Sequence, residues 1–426
     1  WENVNDTTWS FKLREGVKFH NGEDLTADDV KFTLERVAND EALQEYGNYN
    51  QIKEVKVLSD YEFEIITHNP EPALLNRLSR IGSGILPKDY IETEGWEVFL
   101  ENPAGTGPYQ FKEWAKDDRL VIERYEDYFG EKAIWDEVVF RIIPEDSTRV
   151  SELLTGGVDL VTNVPPEDVE RINTTDNVSA MTAEIQRVMM LVIRTAEGWP
   201  TADPRVRKAI DLAIDKQGII DSILGGAGTV TKTRVTPGNF GANEDLFGQT
   251  NYDPERAKEL LAEAGYEDGL EITFSATNGR YLKDKEVAEL IQAQLAEVGI
   301  TVNLELLEYS VFSTKNQEKS FEDMFMIGYG NSMFDAALAL EDLTKDEAAG
   351  ETDYDNPEVE DLLKAAEMNM NLEERAEQYQ KAQEIIAEDR PHIYLYQLGS
   401  IYGVSDRINF EPRLDELFYL DDITLK

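Results

Sequence analysis

An α/β fold is what this sequence predicts, and three observations carry that prediction. Between Leu270 and Glu308 the chain reads strand, helix, strand: "LEITFSA", then the amphipathic "DKEVAELIQAQLAEVG", then the alternating "ITVNLELLE". A unit of that kind pairs its strands in parallel through a right-handed crossover. Two further helix starts are marked by Asp203-Pro204 and Asp253-Pro254, each an N-cap residue ahead of a proline at the first helical position. With 426 residues the chain is long enough for two or three domains with sizeable cores.

Taken in order, the first hundred residues read mainly as strands and turns. Phe11, Leu13, Val17 and Phe19 alternate with polar residues as half-buried strands do, and Asn21-Gly22 tolerates the positive φ of a tight turn. Thr26 caps a helix, with Asp29 in the capping-box position and Val30, Leu34 and Val37 on one face. His20, amid Glu15, Glu23, Asp24, Asp28 and Asp29, is read as a structural residue entering that turn, because acid/base and metal sites need partners at fixed spacing. "EVKVLSDYEFEIIT" is a hairpin turning at Ser59-Asp60.

From "GTGPYQFKEW" the chain enters strands "RLVIERY" and "EVVFRII", a helix near Ser147 to Leu154 and the short strand "VDLVTN", with Gly105 to Pro108 as a domain crossing. Beyond Gly265, which ends "DPERAKELLAEAG" as a C-terminal cap, come the apolar strand "MFMIGYG", amphipathic runs from Pro357 to Met368 and Leu372 to Ala387, and two closing strands, "HIYLYQ" and "IYGVS". Met189, Met190 and Met326 read as core filler.

Charge excludes more than it selects. The chain has 41 Lys and Arg against 86 Asp and Glu, a formal net charge of −45, which repels nucleic-acid phosphates and anionic lipid surfaces and suits a strongly solvated, halophilic or secreted surface. The acids are interspersed among 41% hydrophobic residues, so the chain folds. There is no cysteine, hence no disulfide or thiolate chemistry. No run of about 18 apolar residues is present to span a membrane. The opening "WENVNDTTW" begins abruptly, as though a first segment had been removed, and sequons at Asn5, Asn173 and Asn177 are too few to decide secretion.

Catalytic motifs are absent. Phosphate loop, dinucleotide fingerprint, HExxH and EF-hand patterns do not occur, and "GNSMF" starts like a nucleophile elbow but lacks its second glycine. Carboxylate pairs arise by chance among 86 acids, so a hydrolase using such a pair stays only as the alternative class. Three scattered histidines, His20, His68 and His392, provide no dedicated metal site, and no cofactor is expected.

Five stretches, in one order, carry a resemblance: "WSFKLREGVKFHNGEDLTADDVKFTLERV", "GTGPYQFKEW", "DPRVRKAIDLAIDKQGIIDSILGGAG", "YDPERAKELLAEAGY" and "GRYLKDKEVAELIQAQLAEVGI". With them the chain resembles the peptide/nickel-type, family 5 extracellular solute-binding proteins of ABC importers, a group that includes dipeptide- and oligopeptide-binding proteins. The resemblance implies a two-lobed periplasmic-binding-protein clamshell with an additional domain. Residues 1–104 would be the additional strand-rich domain, 105–196 with about 400–426 lobe I, and 197–399 lobe II. Family members carry further residues ahead of this chain's start, so lobe I would lack its first part here.

It also implies a non-enzymatic extracytoplasmic receptor, periplasmic or a surface-anchored lipoprotein, and monomeric. It would deliver a peptide-like or other oligomeric solute to a membrane permease, with oligosaccharides or a nickel chelate as alternatives. Arg280 aligns with the arginine that grips a ligand carboxylate in the dipeptide branch. Ser332 stands where peptide-binding relatives place an amine-holding Asp, and Asp335 matches a family Asp that orders the loop. Tyr329, Tyr109 and Trp114 are candidate ligand-stacking aromatics.

Overall fold

The computed structural model describes all 426 residues. They form two compact units: Trp1–Glu145 with Glu367–Leu372 and Tyr419–Leu425, and Asp146–Ala366 with Glu373–Phe418 and Lys426. No helix is long and apolar enough to cross a membrane.

The first unit holds two antiparallel sheets. Strands β1 (Glu2–Asn5), β2 (Thr8–Lys12), β3 (Ile52–Ser59) and β4 (Glu62–Thr67) pair in the order β1-β2-β4-β3. The helix Ala27–Asn39 lays Val30, Leu34 and Val37 against Trp9, Val55, Phe63 and Ile65 of this sheet. Its first turn is closed as expected, the Thr26 amide donating to Asp29 Oδ2 at 2.8 Å. Asp29 Oδ1 meanwhile accepts from the amide of Lys88 at 2.9 Å, so one side chain caps a helix and fixes a distant loop.

Val17 and Phe19 are buried with Leu25, yet only an isolated bridge, Lys18 to Asp24, forms around them. Gly16, at φ +76, and Gly22, at φ +90, turn the chain at both ends before a longer strand can develop. The second sheet is β5 (Tyr109–Ala115), β6 (Arg119–Arg124) and β7 (Glu137–Arg141), in sequence order.

The second unit is built on a seven-stranded sheet. Its strands are β8 (Leu160–Val161), β9 (Val178–Ile193), β10 (Gly228–Val230), β11 (Leu270–Thr277), β12 (Ile300–Leu307), β13 (Met324–Tyr329) and β14 (His392–Ser405). The order is β10-β14-β9-β13-β11-β12, with β8 on β14. The βαβ unit is as the sequence predicts: β11 and β12 pair in parallel from Leu270 opposite Ile300 to Thr277 opposite Leu307, with helix Asp284–Glu297 between them. Asp203 and Asp253 cap their helices by accepting from Arg205 and Arg256 amides at 2.8 and 2.9 Å.

Two features depart from the sequence reading. "HIYLYQ" and "IYGVS" are not two strands but one, β14, buried along all 14 residues. Its partner β9, 16 residues long, was not expected at all. Polar interruptions at Glu184, Gln186 and Arg187 break the periodicity of β9, and Leu398 to Ser400 break that of β14, but the two strands pair across both breaks with local register shifts. Val188, Met190 and Val192 of β9 then face one core, and Met189, Leu191 and Ile193 the other. The three methionines are core, as expected, each no more than 1% exposed.

Candidate functional site

His20 is fully engaged by the scaffold. Its Nδ1 accepts from the Gly105 amide at 3.2 Å, which leaves Nε2 to donate to the Gly107 carbonyl at 3.0 Å. Its ring meets Tyr125 edge-on at 4.8 Å, and burial lowers its pKa. The histidine thus pins residues 105–107 to the turn at 20–22. Tyr109 and Trp114 follow on β5 in the first unit. The Tyr109 hydroxyl accepts from the Trp135 amide at 3.4 Å, while Trp114 is 64% exposed.

In the second unit a small cleft, of about 50 Å³, opens beside β9 and β14. Arg280, Tyr281, Arg187, Glu416 and the β14 segment from Leu398 to Ile401 line it. Its charged lining is two guanidiniums and one carboxylate.

Arg280 is presented by a loop that a single buried acid organises. Asp284, 2% exposed, accepts from the amides of Gly279, Arg280 and Tyr281 at 2.8, 2.9 and 3.1 Å and from the Thr277 hydroxyl at 2.7 Å. The helix that Asp284 begins gains a negative charge at its positive end. With the loop held through its backbone, the Arg280 side chain is left to the cleft. It is exposed, lies 5.4 Å from the Tyr281 ring and 4.8 Å from the Tyr309 ring, and forms no ion pair. Stacking of this kind holds a guanidinium in place without spending its donors.

Arg187 is anchored differently. Its Nη1 donates to the Gly328 carbonyl on β13 at 2.8 Å, to which the Tyr281 hydroxyl also donates at 3.2 Å, and its Nη2 donates to Glu416 at 3.0 Å. Only glycine permits this approach. A Cβ at position 328 would lie 2.6 Å from Met189 Sδ and 3.1 Å from Arg187 Cδ.

The turn after β13 separates the other expected residues. Tyr329 projects to the opposite face of the sheet, into the core that holds Ile327 and Val188, and is not among the cleft-lining residues. There the Arg234 guanidinium lies 4.6 Å from its ring, Asn316 donates to its hydroxyl at 3.3 Å, and burial pushes its pKa up. Ser332 is exposed, next to the fully buried Asn331. Asp335 turns inward: it accepts from both Nη atoms of Arg375 at 2.7 and 2.8 Å and caps the Ala337 amide at 2.9 Å. It orders the loop, as the resemblance implied.

Of the five expected residues, then, only Arg280 lines the cleft, and the sequence reading missed Arg187 and Glu416. A signal for Arg187 was present: it is the one charged residue between Ile185 and Ile193, a run apolar but for it and Gln186, where a charge needs a reason. Glu416 had none, being one acid among 86.

Comparison with known proteins gives three consistent results. A family model described as bacterial extracellular solute-binding proteins, family 5 Middle, matches residues 1–351. The oligopeptide-binding protein AppA of Bacillus subtilis is 27% identical over 96% of this chain and 79% of its own length, and the dipeptide-binding protein of Escherichia coli 28% over 93% and 79%. The solved periplasmic binding protein DppA from Helicobacter pylori, in complex with the peptide STSA, superposes with a TM-score of 0.87 at 28% identity, covering 99% of this chain and 87% of that one. The expected fold class, the mixed α/β fold of the periplasmic binding proteins, is the one that the solved structure shares with this chain.

Proposed function

The chain belongs to the bacterial extracellular solute-binding proteins of family 5, and from that premise we propose that it is a receptor for a short peptide or related carboxylate solute. It closes around the solute and delivers it to the permease of an ABC importer. Relatives named for oligopeptide and dipeptide binding, and a structural neighbour holding a tetrapeptide, support that choice of solute.

Arg280 carries the reading. In a chain with two acids for every base, a cleft-lining guanidinium with no carboxylate of its own is a socket for a carboxylate from outside. The fork of a guanidinium matches both carboxylate oxygens, and closure is favoured only if the solute gains contacts that the open form lacks.

Calorimetry with a dipeptide pool tests this. Arg280→Ala should keep the melting temperature of the parent and weaken binding by roughly 1.5–3 kcal/mol, the scale of a hydrogen bond to a charged group. Equal affinities would remove Arg280 from the site. Mass spectrometry of the eluted solute should recover it chemically unchanged, and a hydrolysed product would revive the enzyme alternative.

A further inference from the structure

The two cleft arginines are not in the same condition. Arg280 faces the cleft without an anionic partner, whereas Arg187 is occupied by Glu416. The pair Arg187–Glu416 is asymmetric in how its members are held. Arg187 is fixed to the floor by the Gly328 carbonyl and by the Tyr281 ring, 5.7 Å away, and both contacts remain if Glu416 leaves. Glu416 sits at φ +62, a left-handed conformation uncommon for a residue with a side chain, with its own side chain 33% exposed. A single hydrogen bond at 3.0 Å ties that carboxylate to the cleft.

We infer that Glu416 is a resident stand-in for a second carboxylate of the solute, and that the receptor selects solutes bearing two anionic groups. One group pairs with Arg280, and the other displaces Glu416 from Arg187. The inference rests on the proposed reading of the cleft as a carboxylate site, and adds to it the number of anionic groups. The long-range field of a chain at −45 repels such a solute, so recognition is supplied locally, by two fixed guanidiniums at short range. The displaced Glu416 moves toward water, where its charge is solvated at little cost.

The test uses two nearly isosteric dipeptides, alanyl-glutamate and alanyl-glutamine, titrated calorimetrically into the full chain and its Glu416→Gln and Arg187→Met variants. The parent should prefer alanyl-glutamate. Glu416→Gln keeps the shape of the side chain but removes the competing charge, so it should tighten alanyl-glutamate by roughly three- to tenfold, the scale of a part-exposed ion pair. The same variant should move alanyl-glutamine less than twofold, and Arg187→Met should erase the preference between the two. Thermal melts of each variant verify folding. A parent that binds both dipeptides equally, or a Glu416→Gln variant that binds alanyl-glutamate no better or more weakly, overturns the inference and leaves the carboxylate reading in place. Weaker binding of both dipeptides to Glu416→Gln likewise overturns the inference and would show Glu416 to hold the solute's amine. Binding of neither dipeptide to the parent overturns both the inference and the peptide-like reading.

Discussion

Arg375 and Arg280 belong to the same unit and differ in what the chain supplies to each guanidinium. Arg375 is 1% exposed, bidentate to Asp335, bonded through Nε to the Ala366 carbonyl at 3.1 Å and stacked 4.6 Å from Phe240. Every direction in which it could recognise a solute is taken. Arg280 has its backbone held by Asp284 and its plane held by two tyrosines, while its donors face the cleft. A buried charge that is fully paired holds a fold together, whereas an exposed guanidinium that is oriented but unpaired keeps its donors for another partner.

The largest effect is expected from unpairing the buried arginine. Arg375→Ala leaves the Asp335 carboxylate stranded and should cost about 3–5 kcal/mol in chemical denaturation, a loss that Asp335→Leu with Arg375→Met largely restores. If the single variant were as stable as the parent, the pair would not be a structural anchor.

Asp284→Ala comes next. It strands the amides at 279–281 and should cost about 2–3 kcal/mol. Because those amides position Arg280, solute affinity should fall as well, which Arg375→Ala should not produce in whatever fraction stays folded.

Glu351 offers a third, pH-dependent lever on the buried side. Burial, reinforced by Asp342 and opposed by Lys319, Arg234 and Arg194, raises its carboxyl to about 7. A carboxyl raised on folding holds its proton more tightly in the native state. Its contribution is therefore fully present below the usual carboxylate range, near 4.5, and is lost as pH rises through about 7. Glu351→Gln should be more stable than the parent at pH 8, by on the order of 2 kcal/mol, and the gap should close towards pH 5. A pH-independent difference would place Glu351 in water.

The smallest expected effect is the one that completes the contrast. Arg280→Ala should change stability by less than about 0.5 kcal/mol, because an exposed, stacked side chain without an ion pair leaves nothing stranded. A large loss would make Arg280 another Arg375.

Features that depend only on neighbours along the chain were legible in the sequence. Thr26 with Asp29, Asp203 and Asp253 before prolines, and the strand, helix, strand from Leu270 are local patterns, and each formed where it was read. The order of five such stretches was enough to place the chain in its family. Tertiary structure decided what depends on register. Tyr329 and Gly328 are adjacent, but strand alternation sends one to the buried core and sets the other beneath Arg187. β9 and β14 became continuous strands only by pairing with each other, because each carries interruptions that a lone segment could not hold in a strand. Arg187 and Glu416 meet across 229 residues, and Arg280 joins them through a loop closed by an acid four positions on. Periodicity says which face a residue takes within its own element, whereas convergence of side chains from distant elements is set by strand register and loop closure, which no local pattern records.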